Sequence, residues 1–153
     1  MRKIYRLDSD YTNSEVDDII NAIPKEVKEN MEVMADSIDM IEIYLQEDGT
    51  YHISEGLDII ICILDEYEKE KILKLTDMVY ERSKYSIKDI SESVLFEQHT
   101  EKEYKGVEDK VKKIFDRYLD VYLDHDTVLD KINMLGMASL SERDKKVLES
   151  ANI

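Results

Sequence analysis

Ile38-Asp39-Met40-Ile41-Glu42-Ile43-Tyr44-Leu45-Gln46 is followed by Glu47-Asp48-Gly49-Thr50 and then by Tyr51-His52-Ile53-Ser54. Ile41, Ile43 and Leu45 alternate with Glu42, Tyr44 and Gln46, the two-residue period of a strand with one buried face. Asp48-Gly49 suits the positive φ angles of a tight hairpin, so the chain reverses there and residues 51–54 return beside the first strand. Glu55-Gly56 predicts another turn. Residues 57–64 are almost wholly apolar and β-branched, which places them at the centre of a sheet with both faces covered.

Working outward, Lys3–Leu7 reads as a short strand and Asp8–Asn13 as a loop. Asn13 or Ser14 can cap a helix whose Val16, Ile19, Ile20 and Ile23 share one face, and Pro24 ends or kinks it. Val27, Met31 and Met34 give a second helix its buried stripe. Asp65 is placed to cap a helix running to about Lys84, with Glu66, Glu68 and Glu70 at its positive end and Ile72, Leu75, Met78 and Val79 inward. In the stretch 85–99, Ile87, Ile90 and Val94 keep helical spacing, while Ser93–Glu97 suits a strand, and a strand is expected there. Tyr104, Val107, Val111, Ile114, Tyr118 and Val121 then form a heptad seam, predicting one long helix over Glu101–Asp124 that packs on the sheet or on a copy of itself. His125-Asp126-Thr127 breaks it. A short helix follows over Val128–Leu135, Gly136 stops it, and Ser139 or Ser141 caps a last helix anchored by Val147 and Leu148. The predicted fold is α+β: a small, mostly antiparallel sheet with packed helices, then a helical C-terminal segment. Residues 1–100 form an acidic α/β domain and residues 101–153 the helical segment, packed as one unit.

The 153 residues carry 21 Lys plus Arg against 36 Asp plus Glu, a formal charge of −15. Such a balance opposes binding to nucleic-acid phosphates or anionic lipid, both of which need a basic surface. The acidity is regional. From Asp8 to Glu68 there are eighteen acidic residues and two basic ones, Lys25 and Lys28, so the rest of the chain is nearly neutral. The N-terminus lacks the apolar core of a signal peptide, and a single cysteine, Cys62, allows no intrachain disulfide, so a cytoplasmic protein is expected.

Chemistry-bearing patterns are sparse. Asp8-Ser9-Asp10 opens like a calcium loop, but Thr12, Asn13 and Ile19 stand where further ligands and a glycine are required. His125 between Asp124 and Asp126 could join a metal site, yet the triplet reads more simply as a polar helix junction. Cys62 lies in an apolar strand that hides its thiol, and no glycine-rich phosphate loop exists. The ten tyrosines suit either core edges or interfaces.

Leu129-Asp130-Lys131-Ile132, Gly136, and Ser139-Leu140-Ser141-Glu142 with Lys145 and Leu148 resemble the tail that follows the membrane domain of some bacterial rhomboid-like proteases. The resemblance covers residues 127–150 and implies a bacterial or phage origin. It carries no protease residues.

These features predict a non-enzymatic protein without cofactor or bound metal, an inhibitor or immunity-like module that neutralises a basic partner such as a toxin or nuclease. Glu47, Asp48 and Tyr51 at the hairpin, with Asp65, Glu66 and Glu68 at the helix start, are the expected contact residues. The alternatives are an assembly component oligomerising through the 104–121 seam, an anti-defence protein mimicking DNA charge, and a metal-dependent enzyme using His125.

Overall fold

A computed structural model describes residues 1–54 and 58–150. The fold is α+β, with five strands in one antiparallel sheet and seven α-helices among the described residues. The strands are β1 (Lys3–Ser9), β2 (Asp39–Leu45), β3 (Tyr51–Ile53), β4 (Ile59–Leu64) and β5 (Tyr85–Asp89), in spatial order β3-β2-β4-β1-β5. β4 takes the centre, and all six of its residues are buried, as its unbroken apolar run requires. The β2–β3 hairpin closes through Glu47-Asp48-Gly49, with Gly49 at φ +87° and the Gln46 N–H donating to the Thr50 carbonyl at 2.8 Å. The turn expected at Glu55-Gly56, and Leu57, lie outside the described residues.

Helices cover both faces. On one face lie α1 (Asn13–Ala22), α2 (Lys25–Asp36) and α3 (Glu66–Val79), over Tyr5, Leu7, Ile60, Cys62 and Leu64. On the other lie α4 (Ser91–Leu95), α5 (Glu108–Tyr122), α6 (His125–Leu135) and α7 (Glu142–Ser150). The larger core is on this second side, where Ile4, Ile43, Ile61 and Ile63 meet Val94, Tyr104, Val111, Ile114, Tyr118 and Val128. Residues from both sides of position 100 therefore share one core.

Several local expectations are corrected. Thr12, ahead of Asn13 and Ser14, is the α1 cap: its hydroxyl accepts from the Glu15 N–H while Glu15 reaches back to the Thr12 N–H, a complete capping box. β1 runs on to Ser9 because β5 pairs with it out to Ser9↔Tyr85. α3 stops at Val79, where Tyr80 turns inward and packs against Tyr11, ring centres 4.9 Å apart. Met78 consequently points to solvent and Thr76 takes its inward place. The strand expected at Ser93–Glu97 is instead the helix α4, and the strand of this region is β5. Pairing with β1 selects β5, and the buried Ser91 hydroxyl accepts from the Ile4 N–H at 3.0 Å to fix the turn into α4. The single helix expected over Glu101–Asp124 is a 3-10 turn at Glu101–Glu103, a loop through Gly106, and then α5 from Glu108. Gly106 sits at φ +102°, which no helix tolerates. α6 begins at His125 rather than Val128, because Asp124 caps it by accepting from the Thr127 N–H at 2.8 Å. Of the two serines proposed for the last helix, Ser141 is the cap: its hydroxyl accepts from the Asp144 N–H, and the Asp144 carboxylate accepts from the Ser141 N–H.

Candidate functional site

The residues singled out in the sequence fall into two groups that the sheet holds apart. Ile43 pairs with Ile59 and Asp39 with Ile63, so the hairpin lies beyond one end of β2 and Asp65 beyond the opposite end. A seven-residue strand between them is ~20 Å long. Glu47 and Glu66 are exposed. Asp48 accepts from the Thr50 hydroxyl at 2.7 Å and its N–H at 2.9 Å, which holds its carboxyl below the usual range. Tyr51 is half-buried and packs on Tyr104, with ring centres 5.2 Å apart, so it belongs to the core edge. Asp65 and Glu68 form the α3 capping box, and Arg2 bridges both, reaching Asp65 at 3.9 Å. Four of the six residues are thus engaged within the chain.

The acidity itself concentrates elsewhere. α1 and α2 together hold seven acidic residues, Glu15, Asp17, Asp18, Glu26, Glu29, Glu32 and Asp36, against Lys25 and Lys28. Across the sheet, α5 carries four acidic and four basic residues, and α7 carries three of each. The acidic helices are also thinly packed. α1 buries Val16 and α2 buries Val27 and Met34, while Ile20, Ile23, Met31, Ala35, Ile72 and Leu75 stay half-exposed. They line a groove of about 180 Å³ between α1, α2 and α3, floored by Met40, Glu42 and Ile60. Lys28, Glu32, Met34, Ile38 and Thr76 complete its wall. The Thr76 hydroxyl donates to the Ile72 carbonyl at 2.8 Å, so its polar atom is satisfied within α3. Glu29, Glu32 and Asp36 stand at i, i+3 and i+7, a row of carboxylates on one side of α2, of which Glu32 lines the groove beside Lys28 and Glu29 also meets Lys25 at 3.9 Å. Near the β4 end of this layer, burial raises the Asp58 carboxyl above the usual aspartate range, and Asp17 adds to the rise.

Met31 and Met34 appeared in the sequence as a buried stripe, and Ile20, Ile23, Ile72 and Leu75 as inner faces. Nothing in their spacing reveals that α1, α2 and α3 stand far enough apart to leave those faces half open. The signal available was the coincidence of a weak apolar stripe with a dense acidic one.

Other chemical groups are built into the core. Arg6 holds the Asp8 carboxylate through Nε and Nη2 and donates from Nη1 to the Tyr104 hydroxyl at 2.9 Å, which also contacts His99. Burial pushes Tyr104 up to about 12 and lowers His99, which favours the neutral ring inside this cluster. Burial likewise pushes the Cys62 thiol up to about 12, where it is not a nucleophile at neutral pH. Among the described residues, no group of three or more His, Cys, Asp or Glu is placed to hold a metal ion. Of the heptad seam, Tyr104, Val107, Val111, Ile114 and Tyr118 are buried against this chain's own sheet, and Val121 alone is exposed. No helix among the described residues is long and apolar enough to cross a membrane. Comparison with protein families, with curated proteins and with solved structures finds no match.

Proposed function

We propose that this chain is a non-enzymatic binding module that presents the α1–α2–α3 side of its sheet to a basic protein partner, as an inhibitor or immunity-like protein would. One observation carries the reading: the excess negative charge and the incomplete packing occupy the same side of the sheet. A solubilising charge would serve equally well over the opposite side, where α5 packs on the larger core and its charges balance instead. Long-range attraction between an acidic face and a basic partner speeds encounter and excludes wrong partners, and apolar contact then slows release. The face proposed is the acidic layer of helices, with the hairpin residues Glu47 and Asp48 outside it and Glu66 at the start of α3 on its margin.

The test is capture from native lysate at low and high salt with three baits. They are the wild type, a variant reversed along α2 (Glu29→Lys, Glu32→Lys, Asp36→Lys), and a variant reversed at the hairpin (Glu47→Lys, Asp48→Lys), each checked for folding by circular dichroism. The reading expects a basic protein that the wild type and the hairpin variant retain at low salt, that high salt releases, and that the α2 variant misses. Identical capture by all three baits would overturn it.

A further inference from the structure

The groove between α1, α2 and α3 has a shape and a lining that select among basic partners, and this inference rests on the acidic-face reading above. Its volume of about 180 Å³ is mostly bounded by apolar side chains. An apolar cavity of about 150 Å³ accommodates a benzene ring, so the groove has room for one large apolar side chain. Three of the chain's seven methionines, Met31, Met34 and Met40, lie on its wall and floor. Methionine is unbranched and polarisable, which lets such a wall close around differently shaped guests.

The backbone around the groove excludes an extended guest. Met40, Glu42 and Ile60 reach it from the face of the sheet, where Met40 pairs with Cys62 and Glu42 with Ile60 across the β2–β4 ladder. No strand edge borders it, so a strand laid there would bury N–H and C=O groups without partners, at a cost for each. A helix satisfies its own backbone and brings only side chains. The charges match the same geometry. Glu29, Glu32 and Asp36 run along about two turns of α2, roughly 10 Å, and cations one turn apart on a facing helix can meet them.

We infer that the groove is the seat of a basic amphipathic α-helix of the partner, one that inserts a large apolar residue among Met31, Met34, Met40, Ile72 and Leu75 and sets Lys or Arg residues against Glu29, Glu32 and Asp36. This is recognition by an apolar anchor within a charged frame, the usual arrangement when a helix binds a groove.

The experiment uses the full chain with labelled methionine methyls and, as probe, a synthetic leucine–lysine amphipathic helical peptide, compared with a scrambled peptide of identical composition. Fluorescence anisotropy reads affinity and methyl NMR reads location. The expected result is that the Met31, Met34 and Met40 methyls shift while Met134 and Met137, on the opposite side of the molecule, do not. Ala35→Phe, which fills the groove, and scrambling should each weaken binding about ten- to hundredfold, the worth of one buried large side chain. If helix and scramble bind alike, are lost on reversal of the α2 row, and leave the three methyls unmoved, the groove inference falls and the acidic-face reading stands. If neither peptide binding responds to salt or to that reversal, both fall. Methyl shifts that survive the reversal unchanged would overturn the basic partner in favour of an uncharged apolar guest. Should Ala35→Phe not fold, the wild-type methyl pattern with the two peptides still decides.

Discussion

Lys131 and Asp144 are the most deeply buried charges among the described residues, 2 % and 0 % exposed, and their side chains meet at 2.6 Å. Glu97 approaches the same ammonium at 3.9 Å and accepts from the Ser141 hydroxyl at 2.6 Å, so one pair ties α6 to α7 and to the end of α4. A buried pair contributes little net stability, but breaking it strands a charge. Lys131→Ala is therefore expected to cost about 3–5 kcal/mol, and Lys131→Met combined with Asp144→Leu to recover part of that loss, since the leucine gives up the bond from the Ser141 N–H, as urea titration would show. Gly49, in the hairpin, and Gly106, in the loop before α5, separate strain from overlap. Gly49 and Gly106 both have positive φ, but a Cβ at Gly49 meets nothing within 4 Å, while one at Gly106 falls 2.5 Å from the Tyr51 carbonyl oxygen. Gly49→Ala should cost about 1 kcal/mol, and Gly106→Ala clearly more, ~2–4 kcal/mol, because backbone must move. Asp58 gives a pH prediction. Its folded carboxyl titrates above the ordinary value, mainly through burial and then through Asp17, so its contribution is favourable below the unfolded value and is lost as pH rises through the folded one. Asp58→Asn should raise the melting temperature at neutral pH, and the gain should vanish below about pH 4; a gain unchanged in acid would show another cause.

Elements differ in how firmly they are held, and the difference follows burial. β4 is buried throughout, and α5 buries Val111, Ile114, Phe115, Tyr118 and Leu119. α1 sinks a single side chain, Val16, and relies on its Thr12–Glu15 capping box. Local opening free energy scales with such contacts, so amide exchange should be faster in α1 than in α2 and slowest in β4 and α5. Thr12→Ala, at a cost of about 1 kcal/mol, should widen the gap for α1 without touching β4. The same contrast explains what could be read in the sequence. β4, the hairpin and the caps at Asp65 and Ser141 are written locally, as an apolar run, an Asp-Gly pair and a polar residue before a helix. β5 is not, because Ile87, Ile90 and Val94 keep helical spacing and the strand exists by pairing with β1. The start of α5 was hidden for a related reason. Tyr104 and Val107 continue the seam's spacing although a loop at Gly106, shaped by its approach to Tyr51, separates them from the helix. The groove was least legible of all, since half-burial of Met31 or Leu75 depends on the spacing of α1, α2 and α3, which no periodicity encodes.

At the scale of the whole molecule, the sheet divides two unlike halves. One side holds the larger core, centred on the charge-balanced helix α5, and the other is thinly packed and acidic. Seven carboxylates on α1 and α2, facing two lysines, repel one another most where the layer has fewest apolar contacts to resist. Salt shortens the reach of that repulsion, from about 30 Å at 0.01 M to about 8 Å at 0.15 M. The melting temperature should consequently rise with added sodium chloride, although salt weakens the chain's ion pairs, because those pairs are mostly exposed and worth little. Reversing Glu29, Glu32 and Asp36 to lysine should raise stability at low salt and flatten the salt response. Asp109→Lys, on the balanced helix α5, should leave the response as it is. Calorimetry of the three proteins across that salt range distinguishes a localised acidic layer from a uniform one: if Asp109→Lys flattens the response as much per charge as the α2 reversals do, the charge acts as a property of the whole surface, and the layer has no electrostatic identity of its own. A layer that carries its repulsion alone gains most from a cationic partner that both neutralises it and fills the space beneath, which is why the stability of this side and its capacity to bind should respond to the same three residues.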